Sequence, residues 1–382
     1  MDSPTKPRIV HIISGLATGG AQRSLANLLE AGLCDRFDNQ VVSLTKAGTM
    51  GGYIERLGVP VRYLDMRARY ATPKSVCQLR RVIDDQEPQM VQGWMYHGNL
   101  AASAAVACKR RRPVLTWNIR HSLSELAHEK FMTRWAIRVG RFVSNQPDAI
   151  VYNSCTSRSQ HETFGYASRI SHVIPNGFDL SRFDPDYERN PALREEIGIP
   201  NGAAVVGHIS RLHPMKDHGL FLKAAALLAR RQPEVHFLMV GTGVTRVETT
   251  LAPLVRQIPA ERIHMLDERH DVEAILRTMD VLCSTSAWGE GFPNILGESM
   301  ASGVPCIATD VGDNARIIGS TGEIVPPGDV GELAEAVERM LAMKEEQRVA
   351  LGQAARRRIE SEYSIGWTVA RYTDLYKQLL GI

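Results

Sequence analysis

Cysteine is scarce in this chain and shows none of the patterns that bind metals or form disulfide frameworks. The sequence has six cysteines among 382 residues, and no two of them form a C-x-x-C pair. Scattered cysteines are typical of thiols in a reducing compartment rather than of a secreted disulfide scaffold or a zinc site. We therefore expect a cytoplasmic protein without a metal site.

Long apolar runs are also missing, so the sequence predicts no transmembrane helix. The longest mild run, Leu100 to Cys108, is rich in alanine and far shorter than the ~20 residues that span a bilayer. Lys6 and Arg8 precede the apolar segment 9–13 in the manner of a signal peptide. That segment is short and meets a glycine-rich turn, so it predicts a first β-strand instead.

The dinucleotide fingerprint G-x-G-x-x-G does not follow this first strand. Its glycines stand at positions 15, 19 and 20, and helical periodicity begins after them. The next strand-like run, residues 40–44, ends in Thr45 and Lys46 instead of an acidic residue for a ribose. A strand, glycine loop and helix still predict a doubly wound domain. An NAD-dependent oxidoreductase is disfavoured.

The net charge is only +3, but it is unevenly distributed. Residues 1–190 contain 25 Lys and Arg against 17 Asp and Glu, whereas residues 191–382 contain 20 against 25. Charge asymmetry between two halves indicates something about partners. The basic half is expected to meet an anionic partner, for which we favour a membrane surface and not a nucleic acid.

Two α/β domains are predicted from the length and from the alternation of strand and helix patterns in both halves. A chain of 382 residues exceeds one ordinary core, and a turn-rich stretch near residues 175–200 separates the halves. We predict an N-terminal domain over residues 1–185 and a C-terminal domain over residues 186–360. A last helix over residues 361–382 is expected to pack back on the first domain.

The stretch 288–305 carries the most chemistry. An apolar strand-like run, Val281 to Ser284, leads through a Gly- and Pro-rich turn into a helical pattern. A helix N-terminus presents N–H donors and partial positive charge to an anion. The carboxylates of Glu290 and Glu298 accept hydrogen bonds from hydroxyls. Each glutamate alone is more often a solvated surface residue, but together with the glycine loop they fit a sugar nucleotide.

Four pieces in this order and spacing resemble one family. They are the segment 19–23 (Gly-Gly-Ala-Gln-Arg), the segment 173–179 (Val-Ile-Pro-Asn-Gly-Phe-Asp), Arg211 with Lys216, and Glu290-x7-Glu298 with Gly-Phe-Pro inside it. The chain from about residue 8 to 341 is similar to the retaining glycosyltransferases of family 4, the bacterial group 1 enzymes. Two residues depart from that pattern: Gln22 stands where members often carry Glu, and Ser210 stands where Gly usually precedes the arginine.

The resemblance implies an α/β fold in which two Rossmann-like parallel-sheet domains face a cleft, the GT-B architecture. The N-terminal domain would bind the acceptor, the C-terminal domain would bind the nucleotide sugar, and no cofactor is expected. It also implies a metal-independent enzyme of the hexosyltransferase type, which moves a sugar from a nucleoside diphosphate sugar to an acceptor hydroxyl with its anomeric configuration kept. The implied catalytic residues are Glu290, Arg211, Lys216 and His121. The implied donor-binding residues are Gly19, Gly20, Leu266, Val272, Phe292, Pro293, Asn294, Ile295, Leu296 and Glu298.

Individual roles follow from the same resemblance. Arg211 and Lys216 are expected to clamp the diphosphate, Glu290 to hold the sugar hydroxyls, and Glu298 to take the ribose hydroxyls. Base contacts are expected from the loop between Leu266 and Val272, with UDP preferred over GDP. His121 is expected beside the sugar. In the first domain, strand ends also place Trp94, His97 and His121 where a cleft would be lined, and the resemblance places Trp117 near His121.

A basic helical pattern in the first half bears on the acceptor. Lys130, Arg134, Arg138 and Arg141 recur at helical spacing, with Phe131, Trp135, Val139 and Phe142 beside them, and residues 109–112 add a basic cluster. A basic amphipathic helix can lie on an anionic membrane, although an ordinary sheet-covering helix shows the same pattern. We expect a lipid-linked saccharide acceptor of polysaccharide or lipopolysaccharide assembly, at the inner membrane face.

Three other functions stay open at this point. A UDP-sugar 2-epimerase would use the same architecture, a transferase could act on a soluble small-molecule acceptor, and a degenerate homologue could serve only as a binding subunit. The retained Glu290, Glu298, Arg211 and Lys216 disfavour the last of these.

Overall fold

The computed structural model describes residues 6–66, 73–107, 109–124, 126, 130–185, 190–245 and 250–382. The chain separates into two compact units, one formed by residues up to Gly177 together with Ile365–Ile382, and the other by Phe178–Ser364. The boundaries between the units lie at 177/178 and 364/365, whereas the sequence analysis placed them at 185/186 and 360/361. No helix in the described part of the chain combines the length and apolarity needed to cross a bilayer.

The first unit is built on a parallel sheet of seven strands in the order β3-β2-β1-β4-β5-β6-β7. Its central strands are largely apolar and buried on both faces, as expected for a parallel sheet covered by helices, whereas the edge strands β3 and β7 are partly exposed. The strands are β1 (Arg8–Ile13), β2 (Asp38–Ser43), β3 (Val61–Tyr63), β4 (Met90–Trp94), β5 (Val114–Ile119), β6 (Ala149–Tyr152) and β7 (Ser171–Val173). The order reverses between β1 and β4, which marks a doubly wound fold whose binding crevice lies at the carboxyl ends of these strands.

Helices cover both faces of this sheet. They are α1 (Gly20–Leu28), α2 (Cys34–Arg36), α3 (Thr49–Arg56), α4 (Pro73–Gln86), α5 (Met95–Val106), α6 (Phe131–Val143), α7 (Cys155–Phe164) and, from the end of the chain, α16 (Ile365–Leu380). A kinked segment, Leu29–Leu33, joins α1 to α2.

The last helix, α16, completes the core of the first unit. Tyr372 and Tyr376 are fully buried there. The Tyr376 hydroxyl donates to Gln92 Oε1 at 2.5 Å, and Asn118 Nδ2 donates to the Tyr372 hydroxyl at 2.7 Å. Strands β4 and β5 are therefore tied to a helix that lies more than 250 residues later in the sequence.

The second unit contains a parallel sheet of six strands in the order β10-β9-β8-β11-β12-β13. The strands are β8 (Ala204–Ile209), β9 (Val235–Val240), β10 (Ile263–Leu266), β11 (Val281–Ser284), β12 (Cys306–Thr309) and β13 (Gly322–Val325). The helices are α8 (Pro191–Glu196), α9 (His218–Arg231), α10 (Ala252–Val255), α11 (Val272–Leu276), α12 (Asn294–Ala301), α13 (Asn314–Ile318), α14 (Val330–Ala342) and α15 (Glu345–Glu362), with a 3₁₀ turn at Pro214–Lys216. The reversal lies between β8 and β11, so the loops after these two strands meet at one edge.

Two tryptophans of the first unit are buried. Trp94 is fully buried, and its indole N–H donates to His11 Nδ1 at 3.2 Å. Trp117 is buried as well and donates to Ser103 Oγ on α5 at 3.0 Å. The prediction that Trp94 lines a cleft is wrong because its side chain points into a layer between sheet and helices. His97 lies within α5, which begins at Met95 instead of near residue 100.

Candidate functional site

Glu290 is held in the loop between β11 and α12 in the second unit. Its side chain is only 8% exposed and forms an ion pair with Lys216 Nζ. The hydroxyl of Ser286 donates to the same oxygen, Glu290 Oε1, at 2.7 Å. Because two donors converge on one oxygen, the carboxylate has a fixed orientation, and its second oxygen has no hydrogen bond among the contacts described for this residue.

Lys216 comes from the loop after β8, and the two loops are bonded to one another. Thr285 Oγ1 donates to the carbonyl oxygens of Lys216 at 2.9 Å and Asp217 at 3.0 Å, while the amide of Ala287 donates to Met215 O at 2.8 Å. These bonds bring the ammonium group to Glu290. They also form because β8 and β11 are neighbours, so their carboxyl ends share one edge of the sheet.

The chain approaches Glu290 very closely at Gly312. Gly312 has a φ of +64°, and a Cβ on it would lie 2.2 Å from the carbonyl oxygen of Glu290. The amide of Asp313 donates to Gly291 O at 3.2 Å on the same side. A residue with a side chain at 312 would displace the loop, so glycine is required there.

The helix α12 begins directly after this loop. Pro293 is its N-cap residue and has no side chain able to accept from the first amides, which belong to Asn294, Ile295 and Leu296. Such an N-terminus carries N–H donors and partial positive charge toward the loop side. Glu298 lies on α12 about one turn later and is partly exposed.

Phe292 anchors the loop in the core instead of facing a ligand with its ring. It is 5% exposed, and its ring stacks on Phe178 with centroids 6.1 Å apart. Any contact of residue 292 with a donor would therefore come from its backbone. Leu296 is also fully buried, so it too offers only its amide.

Positive charge dominates the loop after β8. Arg211 is exposed and Lys216 is partly buried. The pKa of His213 is lowered, first by partial burial and then by the positive charges of Arg211 and Lys216. A neutral His213 accepts the amide N–H of Met215 with Nδ1 at 3.2 Å, which stabilises the turn that presents Lys216.

Leu266 and Val272 bound the loop that was predicted to contact a base. Leu266 ends β10 and Val272 begins α11, and both pack partly against the core. Within the loop, Asp267 Oδ1 accepts the amide of Gly243 at 2.8 Å, and Arg269 Nη2 pairs with Asp271 at 2.7 Å. The loop is thereby shaped by its own side chains.

Three predicted residues belong to the first unit. Gly19 is the N-cap of α1 and Gly20 is its first residue; Gly20 has open space where a Cβ would stand. His121 follows β5 and packs edge-on against Tyr96, with ring centroids 6.4 Å apart. The carbonyl oxygen of His121 accepts a hydrogen bond from Ser157 Oγ at 2.6 Å. These residues lie at the carboxyl ends of β1 and β5.

Ser286 and Thr285 were missed in the sequence analysis. The available signal was the polar run Ser284-Thr285-Ser286 directly after an apolar strand. In a parallel sheet that position reaches the carboxyl edge. No group of three or more His, Cys, Asp or Glu side chains is placed to hold a metal ion in the described ranges.

Two family models match the chain. The model for Glycosyltransferase Family 4 matches residues 18–182, and the model for Glycosyl transferases group 1 matches residues 203–343. Together they cover the regions that contain Gly19, His121, Lys216 and Glu290.

Curated relatives and solved structures agree with these matches. A putative glycosyltransferase EpsF of Bacillus subtilis is 26% identical over 328 residues, which cover 81% of this chain and 80% of EpsF. A GDP-mannose-dependent monoacylated α-(1-6)-phosphatidylinositol monomannoside mannosyltransferase of Corynebacterium glutamicum is 30% identical over 59% of this chain, and the match spans 60% of that enzyme's length.

The fold is similar to that of Anabaena Alr3699/HepE crystallised with UDP. The TM-score is 0.83 at 21% identity, and the match covers 97% of this chain and 100% of the other. The predicted fold class, two Rossmann-like parallel-sheet domains of the GT-B type, is confirmed.

Proposed function

Since the chain belongs to the group 1 and family 4 glycosyltransferases, we propose that it moves a hexose from a UDP-sugar to an acceptor hydroxyl with retention of the anomeric configuration. The observation that carries the proposal is the Lys216–Glu290 pair, held by Ser286 beside the N-terminus of α12. It joins a cation and helix amides, which suit a diphosphate, to a carboxylate that suits sugar hydroxyls.

The cations act on the leaving group. As the bond between the anomeric carbon and the diphosphate oxygen breaks, negative charge grows on the diphosphate. Arg211 and Lys216 lie on the loop after β8. The amides of Asn294 to Leu296 begin α12, directly after the neighbouring loop that carries Glu290. Preorganised donors of this kind each contribute about 3 kcal/mol to transition-state stabilisation. No metal ion is required in this scheme.

Retention follows if attack occurs on the face that the leaving group vacates. The acceptor oxygen bonds to the anomeric carbon, the bond to the diphosphate breaks, and the acceptor proton moves to the departing phosphate oxygen. Glu290 then orients the sugar and is not a covalent nucleophile. Glu298 is assigned to the ribose, the loop from Leu266 to Val272 to the base, and Gly19, Gly20 and His121 to donor contacts from the first unit.

UDP is the nucleotide that we propose. The Anabaena structure holds UDP, whereas the Corynebacterium relative is described as GDP-mannose-dependent, so GDP is the alternative. A thermal-shift screen of the wild-type protein against UDP-, GDP- and ADP-sugars decides between them. Binding at a hundredfold excess over Kd adds about 2.7 kcal/mol of stability. No shift with any nucleoside diphosphate sugar would contradict the proposal.

The acceptor that we propose is a lipid-linked saccharide of polysaccharide or lipopolysaccharide assembly, reached at the cytoplasmic face of a membrane. The helix α6 supports this. Phe131, Trp135 and Phe142 on it are 70%, 49% and 78% exposed, and Arg138 lies on the same outward stripe. Helix α6 contains no acidic residue. An aromatic and cationic face is suited to the interface of an anionic bilayer.

Co-sedimentation tests this peripheral attachment. At low salt the protein should pellet with phosphatidylglycerol vesicles and stay in the supernatant with phosphatidylcholine vesicles. If the protein pelleted to the same extent with both vesicle types, or with neither, the alternative of a soluble small-molecule acceptor would be favoured.

A UDP-sugar 2-epimerase is the second candidate on this architecture. Incubation with a UDP-sugar alone separates the two functions. Slow release of free sugar and UDP supports a transferase, whereas a new UDP-sugar supports the epimerase. The same assay with and without EDTA tests the metal-independent scheme, which predicts equal rates.

A further inference from the structure

Three side chains beneath the cationic loop form one continuous hydrogen-bonded bridge. Ser210 begins the loop after β8, His208 precedes it on the strand, and His218 follows the loop as the first residue of α9. Ser210 Oγ lies 3.0 Å from His208 Nε2 and 3.2 Å from His218 Nε2. The two imidazole rings meet edge to face with centroids 4.8 Å apart. The bridge joins both ends of the segment that carries Arg211 and Lys216.

The direction of every hydrogen bond in the bridge is fixed by its anchor. His208 Nδ1 lies 3.0 Å from the carbonyl oxygen of Cys283 on β11. A carbonyl only accepts, so Nδ1 carries the proton of neutral His208 and Nε2 must accept from the Ser210 hydroxyl. That hydroxyl then accepts from His218 Nε2–H, and the backbone carbonyl oxygen of Ser210, 3.4 Å from the same Nε2, is a second acceptor. His218 Nδ1 is left as a bare acceptor, and it is buried without a hydrogen-bond partner in the structure as described.

Both histidines are kept neutral by their surroundings. Burial lowers the pKa of His208 to about 3, and the nearby charges of His218 and Lys216 act in the same direction. The pKa of His218 is lowered mainly by burial and also by Lys216, against the opposite effects of Ser210 and Asp217. A proton on His208 Nε2 would compete with the Ser210 hydroxyl, so the neutral form is the one that preserves the bridge.

The backbone at Ser210 packs closely against residues 240–242, so this part of the loop has little room to move. Gly241, with φ +150°, approaches so closely that a Cβ there would lie 2.0 Å from the carbonyl oxygen of Ser210. The Ser210 amide donates to Val240 O at 2.9 Å, and the Leu212 amide donates to Thr242 O at 2.9 Å. The end of β9 and the residues after it therefore fix the position of Ser210. The bridge then fixes the position of His218 relative to Ser210.

We infer that Ser210 is a positioning residue, whose hydroxyl closes the neck of the segment 210–218 and so holds Arg211 and Lys216 where a diphosphate binds. The inference rests on the proposed function for the identity of the ligand. Ser210 itself touches no substrate in this scheme. Its effect should therefore be visible in nucleotide affinity and should depend on Arg211.

The test is a double-mutant cycle on the full-length protein, with the Kd of UDP (and of GDP in parallel) measured by calorimetry. We expect Ser210→Ala to weaken nucleotide binding by about tenfold, because small displacements of a charged clamp have effects of up to ~10²-fold. We expect Ser210→Thr, which keeps the hydroxyl, to restore affinity. In an Arg211→Ala background, Ser210→Ala should cause a further loss clearly smaller than tenfold, because only Lys216 is left for it to position.

Two more variants separate positioning from general stability. His218→Phe keeps a planar ring and removes the Nε2 donor, so it should reproduce the Ser210→Ala loss and not add to it. Thr321→Val removes a different buried hydroxyl, which donates to Ile318 O at 2.7 Å, and should leave nucleotide affinity unchanged. If Ser210→Ala failed to fold, the His218→Phe and Arg211→Ala pair would complete the cycle.

Each result has a defined meaning. Wild-type affinity in Ser210→Ala, or a full tenfold loss that persists without Arg211, would overturn the positioning role. Nucleotide binding by the wild-type protein is measured before any variant. If the wild-type protein binds neither UDP nor GDP, the result contradicts the proposed function and not the role of Ser210.

Discussion

Single side chains in the second unit form a charge arrangement that exists before any donor arrives. Lys216 pairs with Glu290, and Ser286 donates to the same carboxylate oxygen at 2.7 Å. The ammonium group of Lys216 is thereby held at the carboxyl edge of the sheet instead of moving freely in solvent. When a diphosphate binds, Lys216 can share its three donors between the ligand and Glu290. The pair is thus a preorganised element and not only a stabilising contact.

Glu290→Gln tests the role of this carboxylate. The amide keeps the size of the side chain but removes the charge that pairs with Lys216. We expect the transfer rate to fall by about 10²- to 10³-fold, the range typical of a lost preorganised transition-state contact, while UDP affinity stays within a few-fold of wild type. Rates from product formation and Kd from calorimetry give the two numbers.

A matched control exists in the same unit. Glu323 forms an exposed ion pair with Arg339 at 2.7 Å, so Glu323→Gln should leave the rate unchanged. If Glu290→Gln transferred sugar at the wild-type rate, the assignment of Glu290 would be wrong.

Buried neutral histidines predict the acid sensitivity of the fold. Burial lowers the pKa of His11 and His161 to about 4 and that of His208 to about 3. Between those values and about 6.5 the unfolded chain binds protons that the folded chain does not. Stability is therefore fully present above pH 6.5 and falls as the pH decreases, by about 1 kcal/mol per pH unit for each such histidine.

Urea unfolding at pH 7.5, 6.0 and 5.0 measures this slope. The exposed His270 provides a control, since His270→Gln should leave the slope unchanged. A stability that is flat or rises toward pH 5 would contradict the burial of neutral imidazoles.

Among the described elements, α6 carries three exposed aromatic side chains, Phe131, Trp135 and Phe142. Arg138 and Arg141 are exposed beside the exposed Phe142. Each arginine near an anionic surface contributes about 1 kcal/mol. We therefore expect the double variant Arg138→Gln, Arg141→Gln to lower the partition coefficient on phosphatidylglycerol vesicles by about 30-fold, with the difference shrinking at high salt.

The control variant removes the same charge from another helix. Lys223 and Arg230 are exposed on α9, and Lys223→Gln, Arg230→Gln should bind vesicles like wild type. An equal loss in both double variants would mean that net charge alone governs binding, and α6 would not be a docking element.

Elements with strong periodicity could be predicted from the sequence almost to the residue. The strands at 204–209, 235–240 and 263–266 and the helix α9 have the bounds that the hydrophobic pattern predicts. The start of α5 was placed too late because Met95, with a φ of +61°, joins β4 directly to the helix without a loop. Nothing in local sequence periodicity indicates such a junction.

The site was harder to predict because its contacts join distant segments. The glycine loop and the two glutamates were visible in one stretch, but the Lys216–Glu290 pair spans 74 residues. The Ser210 bridge depends on how close the end of strand β8 lies to the start of helix α9. The position of Trp94 at the end of β4 does not reveal where its side chain points, so it was assigned to a cleft although it is buried against His11.

At the scale of the whole molecule, the two units differ in how the chain builds them. The second unit is one continuous segment, Phe178–Ser364, whereas the first needs Ile365–Ile382 as well. We expect the isolated segment 178–364 to fold and to retain measurable UDP affinity, because Arg211, Lys216, Glu290 and Glu298 all lie within it.

The segment 1–177 alone should not fold stably. Without α16 it loses the buried Tyr372 and Tyr376, and deletion of one buried aromatic side chain already costs about 3–5 kcal/mol. Circular dichroism and thermal unfolding of both segments test this difference. Cooperative unfolding of 1–177 at the full-length midpoint would contradict it.

The return of the chain to its first unit sets an order on biosynthesis. A ribosome releases the continuous second unit while the strands made earliest still lack their closing helix, so the portion translated first is the last to mature. Those seven strands stay incomplete in the nascent chain until α16 has been translated, and termination between residues 177 and 365 leaves them open to chaperones and proteases.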